Sequence, residues 1–137
     1  MIINAEDAIV GRMATVVAKK ALAGEEINIV NCEKAIITGN KRRTIEKYKQ
    51  RLERGQVGKG YYVFRKPEMI VKKIIRGMLP YKQEKGLKAF KRIKCYKGVP
   101  EEFKEGKMEK VKNADMSRLN NYSFLTVEKL CKELGVE

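Results

Sequence analysis

Apolar positions along this chain fall into two alternating periods. Ile2-Ile3 predicts a short first strand, and from Gly11 to Ala23 the spacing becomes helical, with Met13, Val16, Val17 and Ala21 on one stripe and Gly24 as the stop. Ile27-Asn28-Ile29-Val30 and Ala35-Ile36-Ile37-Thr38 return to strand-like runs. Asn40 to Arg54 predicts a helix with a thin stripe of Ile45, Tyr48 and Leu52, ending at Gly55. A glycine-rich loop, Gly55 to Gly60, leads to a short run Tyr61-Tyr62-Val63-Phe64, expected as a buried strand. Pro67 then opens a helix, because the N–H it lacks would be unpaired in the first turn anyway. That helix carries Ile70, Ile74 and Met78 at spacing four with Val71 and Ile75 alongside, and it should end near Leu79, since Pro80 disfavours helical backbone before it.

Lys82 to Lys91 suggests one more short helix, and Ile93 to Tyr96 a last strand before the Gly98-Val99-Pro100 turn. Glu101 to Asn121 has no clean period. A final amphipathic helix, capped by Thr126, should bury Val127, Leu130, Cys131 and Leu134 and stop at Gly135. Strand, helix, strand order with apolar runs favours a parallel sheet covered on both faces. At 137 residues the chain fits one domain, 1–137, with an α/β core over 1–100 and a tail over 101–137.

Charge changes the picture more than composition does. Lys and Arg total 31 against 17 Asp and Glu, a formal charge of +14, and residues 39–100 hold 20 of the basic residues and only four of the acidic ones. Both ends are nearly neutral, so the excess belongs to the middle and implies a polyanionic partner. Lys41, Arg42 and Arg43 open the second helix, Lys47, Lys49, Arg51 and Arg54 extend its polar surface, and Lys59, Arg65 and Lys66 frame the aromatic run. Lysines supply point charges to phosphates and arginines a bidentate fork. Without an RNP-type aromatic motif, structured RNA read by shape and phosphates is the expected target.

Several classes are disfavoured. The longest pure apolar stretch is four residues, far below the roughly 18 to 20 of a membrane span, and the N-terminus lacks the positive region of a secretory signal, so a cytoplasmic location is expected. Cys32, Cys95 and Cys131 are odd in number and widely spaced, which fits neither a disulfide framework nor a metal site. The absence of any histidine closes most general-base and nucleophile chemistry. The loop at Gly55, Gly58 and Gly60 matches neither a Walker nor a dinucleotide pattern. No catalytic residue, metal or cofactor is expected. An enzyme acting on RNA is the weaker alternative, testable by whether any acid pair comes within catalytic distance.

Five motifs, Val10 to Thr15, Val30 to Lys34, Thr38 to Lys41, Arg76-Gly77-Met78-Leu79-Pro80 and Lys94 to Gly98, occur in the order found in the large-subunit ribosomal protein L-thirteen family. The chain resembles that family over about residues 2 to 100, and its Gly98-Val99-Pro100 resembles the archaeal and eukaryotic branch. The histidine-bearing continuation of the bacterial branch is missing. The resemblance implies a three-layer α/β/α fold with a mostly parallel central sheet of about four strands, and a non-enzymatic constituent of the large ribosomal subunit that binds its rRNA and helps assembly. It further implies neighbouring ribosomal proteins as partners, a monomer when free, and a secondary regulatory role on messenger RNA as an alternative. Matched to the motifs, Arg12, Asn40, Lys41, Arg76, Lys94 and Lys97 are RNA-facing candidates. The charge argument adds Arg42, Arg43, Lys59, Arg65, Lys66, Lys82, Lys85, Lys88, Lys91 and Arg92. In the Arg76 to Pro80 stretch, Met78 and Leu79 are expected to close the helix stripe, Gly77 to admit a close approach to the backbone, and Pro80 to turn the chain.

Overall fold

The chain builds a three-layer α/β fold around a parallel sheet; the computed structural model describes residues 1–55, 58–60 and 62–136. Strands β1 (Ile2–Asn4) and β2 (Ile27–Val30) flank helix α1 (Val10–Leu22), and β3 (Ile36–Thr38) precedes α2 (Lys41–Glu53). Helices α3 (Pro67–Gly77) and α4 (Glu84–Lys91) lead to β4 (Ile93–Cys95), followed by β5 (Met108–Glu109), β6 (Phe124–Thr126) and α5 (Val127–Glu133). The main sheet runs β4-β2-β1-β5 with every neighbouring pair parallel.

Register explains why its faces differ. Asn28 stands opposite Ile2 and Lys94, so one row of the sheet is polar and half-open. Tyr96 and Phe103, 5.4 Å apart between ring centres, belong to the segment that returns along it. The opposite row, Ile3, Ile27, Ile29 and Ile93, is fully buried with Met13, Val17 and Ala21 of α1 and Ile70, Val71 and Ile75 of α3. Burying each such isoleucine stabilises the fold by about 1.5–3 kcal/mol. α1 packs on α3 and α4, and α3 on β4.

Three expectations are corrected here. β3 does not join the parallel sheet; it pairs antiparallel with β6, Ile36 opposite Thr126. Only a short connection beginning at Asn31 separates β2 from β3, and a parallel crossover needs about a dozen residues or more. Asn31 instead takes a left-handed conformation at φ 57° and a 3-10 turn over Cys32–Lys34 redirects the chain. β4 is not the last strand, because the aperiodic tail supplies β5 at the sheet edge beside β1 and β6 beside β3; two- and three-residue strands are too short to show a period. The run from Tyr62 to Phe64 is no strand: Tyr62 is 75 % exposed while Val63 is buried. Tyr61 of that run, and Gln56 and Val57 of the preceding loop, lie outside the described residues.

Residues 76–80 form a tight reversal. α3 ends at Gly77, the Met78 N–H donates to the Ile75 carbonyl, and the Leu79 N–H donates to the Arg76 carbonyl at 3.1 Å. Leu79 plugs the core at 4 % exposure, but Met78 is 42 % exposed, with its sulfur accepting from the Thr15 hydroxyl at 3.6 Å. The stripe at spacing four thus ends one turn earlier than expected, because the helix stops at Gly77 and Leu79 turns inward in place of Met78. Within the chain the close backbone approach is made at Gly86, while Gly77 is open on its outer side. A Cβ on Gly86 would overlap the Pro80 carbonyl and lie 2.9 Å from the Tyr81 nitrogen, whereas one on Gly77 would meet nothing within 4 Å.

Candidate nucleic-acid interface

Helix α3 presents three cations on aromatic rings. Lys72 Nζ stands 5.0 Å from the centre of Phe90, Lys73 Nζ 5.9 Å from Phe64, and the Arg76 guanidinium 4.9 Å from Tyr81. Helical spacing puts 72, 73 and 76 on one side of α3, with Phe64 arriving from the preceding segment and Phe90 from α4. Between them lies a recess of about 200 Å³ lined by Phe64, Met69, Lys72, Lys73, Arg76 and Phe90.

A second groove, about 320 Å³, separates α3 from α2 and is lined by Lys47, Tyr48, Arg51, Lys73 and Gly77 above an apolar floor of Val63, Ile70 and Ile74. The α2 side is built lightly. None of its residues is fully buried; Ile45, Tyr48 and Leu52 only lean on the core, and Arg51 lies 5.2 Å over the Tyr48 ring. Burial pushes the Tyr48 phenol above its ordinary range, with Arg51 opposing. Lys73 is held below the ordinary lysine value, first by desolvation and then by repulsion from Arg51 and Arg76. Cations from two helices therefore converge on one groove. The ion pairs among the described residues, such as Arg42 to Glu46 at 3.0 Å, Lys88 to Glu84 at 2.7 Å and Lys49 to Glu133 at 3.8 Å, use none of Lys47, Arg51, Lys72 or Arg76.

The sequence-predicted residues divide. Lys41, Arg43, Lys59, Arg65, Lys66, Lys82, Lys85, Lys91, Lys94 and Lys97 are exposed, and Arg42 and Lys88 are exposed but bridged along their own helices. Arg12 is exposed at the start of α1, its Nη1 donating to the Asn113 carbonyl at 3.5 Å. Of the whole set only Arg76 lines the α3 recess. Two others have structural work: the Asn40 side chain accepts from the Arg42 and Arg43 N–H groups as the cap of α2, and Arg92 Nη1 donates to the Ala21 carbonyl at 3.1 Å, closing the end of α1. Lys72 and Lys73 were missed, and Lys47 and Arg51 stood only as helix surface. The available signal was the Lys72-Lys73 pair facing both Phe64 and Phe90 across a helix whose apolar stripe lies elsewhere.

The sequence model of the family described as "Ribosomal protein L13" matches residues 1–102. The chain belongs to the ribosomal protein L13 family. Among curated relatives, the large ribosomal subunit protein uL13 of Methanopyrus kandleri is 44 % identical over 99 % of this chain and 87 % of its own length. That of Thermoplasma acidophilum is also 44 % identical, over 98 % of this chain and 97 % of its own. That of Methanococcus maripaludis is 51 % identical over 74 % and 77 %. The L13 family consists of structural ribosomal proteins and not of enzymes.

Several of the motifs that carry this membership hold the L13 fold together. Glu33 Oε2 accepts the Gly98 N–H at 2.9 Å, the Asn31 N–H donates to the Gly98 carbonyl at 2.9 Å, and the Cys32 N–H donates to the Tyr96 carbonyl at 3.2 Å. Gly98 sits at φ 67°, which a side chain would strain. The Val30 to Lys34 and Lys94 to Gly98 motifs are thus two halves of one clasp across β2 and β4. Cys32 is buried inside it, and its neighbour Cys95 together with burial pushes the thiol far above its ordinary range, which keeps it protonated and inert. All three cysteines are free. Among the described residues no cluster of His, Cys, Asp and Glu could hold a metal, and no helix is long and apolar enough to cross a membrane.

Proposed function

We propose that the chain is a structural constituent of the large ribosomal subunit, held on rRNA by phosphate contacts from the face shared by α2 and α3, and that it helps the subunit assemble in the cytoplasm. The observation that carries this reading is the convergence of Lys47, Arg51 and Lys73 across one groove, with Arg76 close enough to repel Lys73, on a chain whose charge excess lies entirely between residues 39 and 100. Cations crowded against one another raise the energy of the free protein, and a row of phosphates relieves that repulsion while releasing its own counterions. Membership of the L13 family and the names of the archaeal relatives agree with it. Gly77, with open space beside its Cα, leaves the groove floor low enough for an RNA backbone to enter. Arg12, Lys41, Arg43, Lys82, Lys85, Lys94 and Lys97 extend the charged surface, and the free chain is a monomer. Regulation of a messenger would use the same surface, and no observation favours it.

The test is the salt dependence of binding to large-subunit rRNA fragments. Each phosphate that the protein neutralises adds roughly 0.7 to 0.9 to the log–log slope. The double variant Arg51→Gln, Arg76→Gln should lower the slope by about two such increments, while Lys104→Gln, Lys132→Gln in the tail should leave it unchanged. Equal effects of the two pairs would refute the placement of the interface.

A further inference from the structure

We propose that the recess between Phe64 and Phe90 is a seat for one unpaired nucleobase, so that the protein anchors an extruded nucleotide of single-stranded RNA as well as duplex phosphates. The proposal rests on the RNA-binding reading and adds the kind of nucleotide that this part of the surface takes.

The walls of the recess are two aromatic rings and Met69, and its rim is three cations, Lys72, Lys73 and Arg76. A purely phosphate-binding surface has no use for an apolar floor, and a core has no use for a cationic rim. At about 200 Å³ the space is below the roughly 300–1,000 Å³ of pockets for whole drug-sized ligands, which suits one flat ring system. Tyr62 extends the platform: it is 75 % exposed and meets Phe64 edge-on at 5.4 Å between ring centres. An isolated exposed tyrosine is ordinary, but one set against the wall of an open, cation-rimmed recess continues an aromatic surface outward.

In the free protein the electron-rich faces of Phe90 and Phe64 are covered by the ammonium groups of Lys72 and Lys73. These contacts are weak at exposed sites and easily exchanged. A nucleotide offers both replacements at once, its base for the ring faces and its phosphate for the ammonium groups. Any base has a flat face for such a seat, so discrimination among the four should be modest. Arg76 adds to this scheme, its planar guanidinium 4.9 Å from Tyr81 at the edge of the recess, where it can stack on a base or hold the following phosphate. An acidic peptide could satisfy the rim and offer an apolar side chain to the floor, but the surrounding segment, with 20 basic residues against four acidic ones, favours the ligand that brings a charge at every unit.

The test uses the full-length protein with three probes of equal charge: a hexamer of riboadenylate without terminal phosphate, an abasic hexamer with the same phosphates, and a peptide of glutamates with blocked termini, cut to the length that carries the same charge. Affinity for the adenylate should exceed that for the abasic chain by on the order of tenfold, the scale of one stacked base. In Phe64→Leu, Phe90→Leu, which keeps both positions apolar, that advantage should vanish while abasic affinity stays the same. A hexamer carrying 2-aminopurine should lose fluorescence on binding the natural protein and not the variant. Equal binding of adenylate and abasic chains overturns the base seat and leaves phosphate recognition standing. Failure to bind either nucleic-acid probe with a salt-sensitive affinity overturns the RNA reading itself. Glutamate binding as tightly as adenylate, and losing affinity in the leucine variant, overturns the base seat and assigns the recess to an acidic peptide.

Discussion

Gly86→Ala tests how the fold carries the basic face, because α4 reaches that face only by lying against the Pro80 turn. A Cβ at 86 would overlap the Pro80 carbonyl and sit 2.9 Å from the Tyr81 nitrogen, and all of these are backbone atoms that cannot rotate away. Gly86 and Ala89 are the buried residues of α4, so the helix would have to lift along its whole inner side. Overpacking of this kind costs about 3 kcal/mol, and replacing a helical glycine returns about 1 kcal/mol. The net loss is about 2 kcal/mol, or about 8 °C in Tm at this chain length. Gly11→Ala is the control: it lies in the first turn of α1 with nothing within 4 Å of the added methyl, and it should stabilise by a few tenths of a kcal/mol, about the size of the helix-propensity gain. Urea denaturation followed by circular dichroism reads both. Gly86→Ala with unchanged or raised stability would refute the claim that α4 is packed through this glycine.

Glu33→Ala removes the acceptor of the Gly98 N–H and should destabilise by about 1–3 kcal/mol in the same assay, with little change in RNA affinity measured at matched folded fraction. Asn40→Ala removes the cap of α2 and costs about 1 kcal/mol; since α2 has no fully buried residue, the effect should show as faster amide exchange confined to that helix. Lys73, depressed below the ordinary lysine value, binds fewer protons folded than unfolded as pH approaches that value, so stability should rise with pH through this window, and Lys73→Met should flatten the rise in pH-dependent urea titrations. Gly77→Val should weaken RNA binding more than folding, because the added side chain enters the open groove and meets no protein atom near its Cβ; equal weakening of both in parallel binding and denaturation curves would contradict this.

Elements with a long or strong period were legible in the sequence. α1 and α5 announced themselves through a buried stripe with a glycine at the end, α3 announced its start through Pro67, and Thr126 caps α5 as its position suggested. What was hidden depended on distant pairing. β5 and β6 are two and three residues long and are strands only because β1 and β3 lie beside them. Charge counting found the basic segment but could not rank its members. It selected Arg92, whose guanidinium is used on the Ala21 carbonyl, and passed over Lys72 and Lys73, which meet rings that lie apart in sequence, Phe90 of α4 and Phe64 of the segment before α3.

The most direct measurement is photochemical cross-linking of protein to RNA in large subunits purified from the source cells, with the cross-linked peptides identified by mass spectrometry. The account predicts cross-links concentrated between Lys47 and Tyr81, at residues of α2, the Tyr62 to Phe64 segment and α3. Cross-links confined to the tail beyond residue 101, or a chain in the subunit with none at all in residues 47–81, would contradict it.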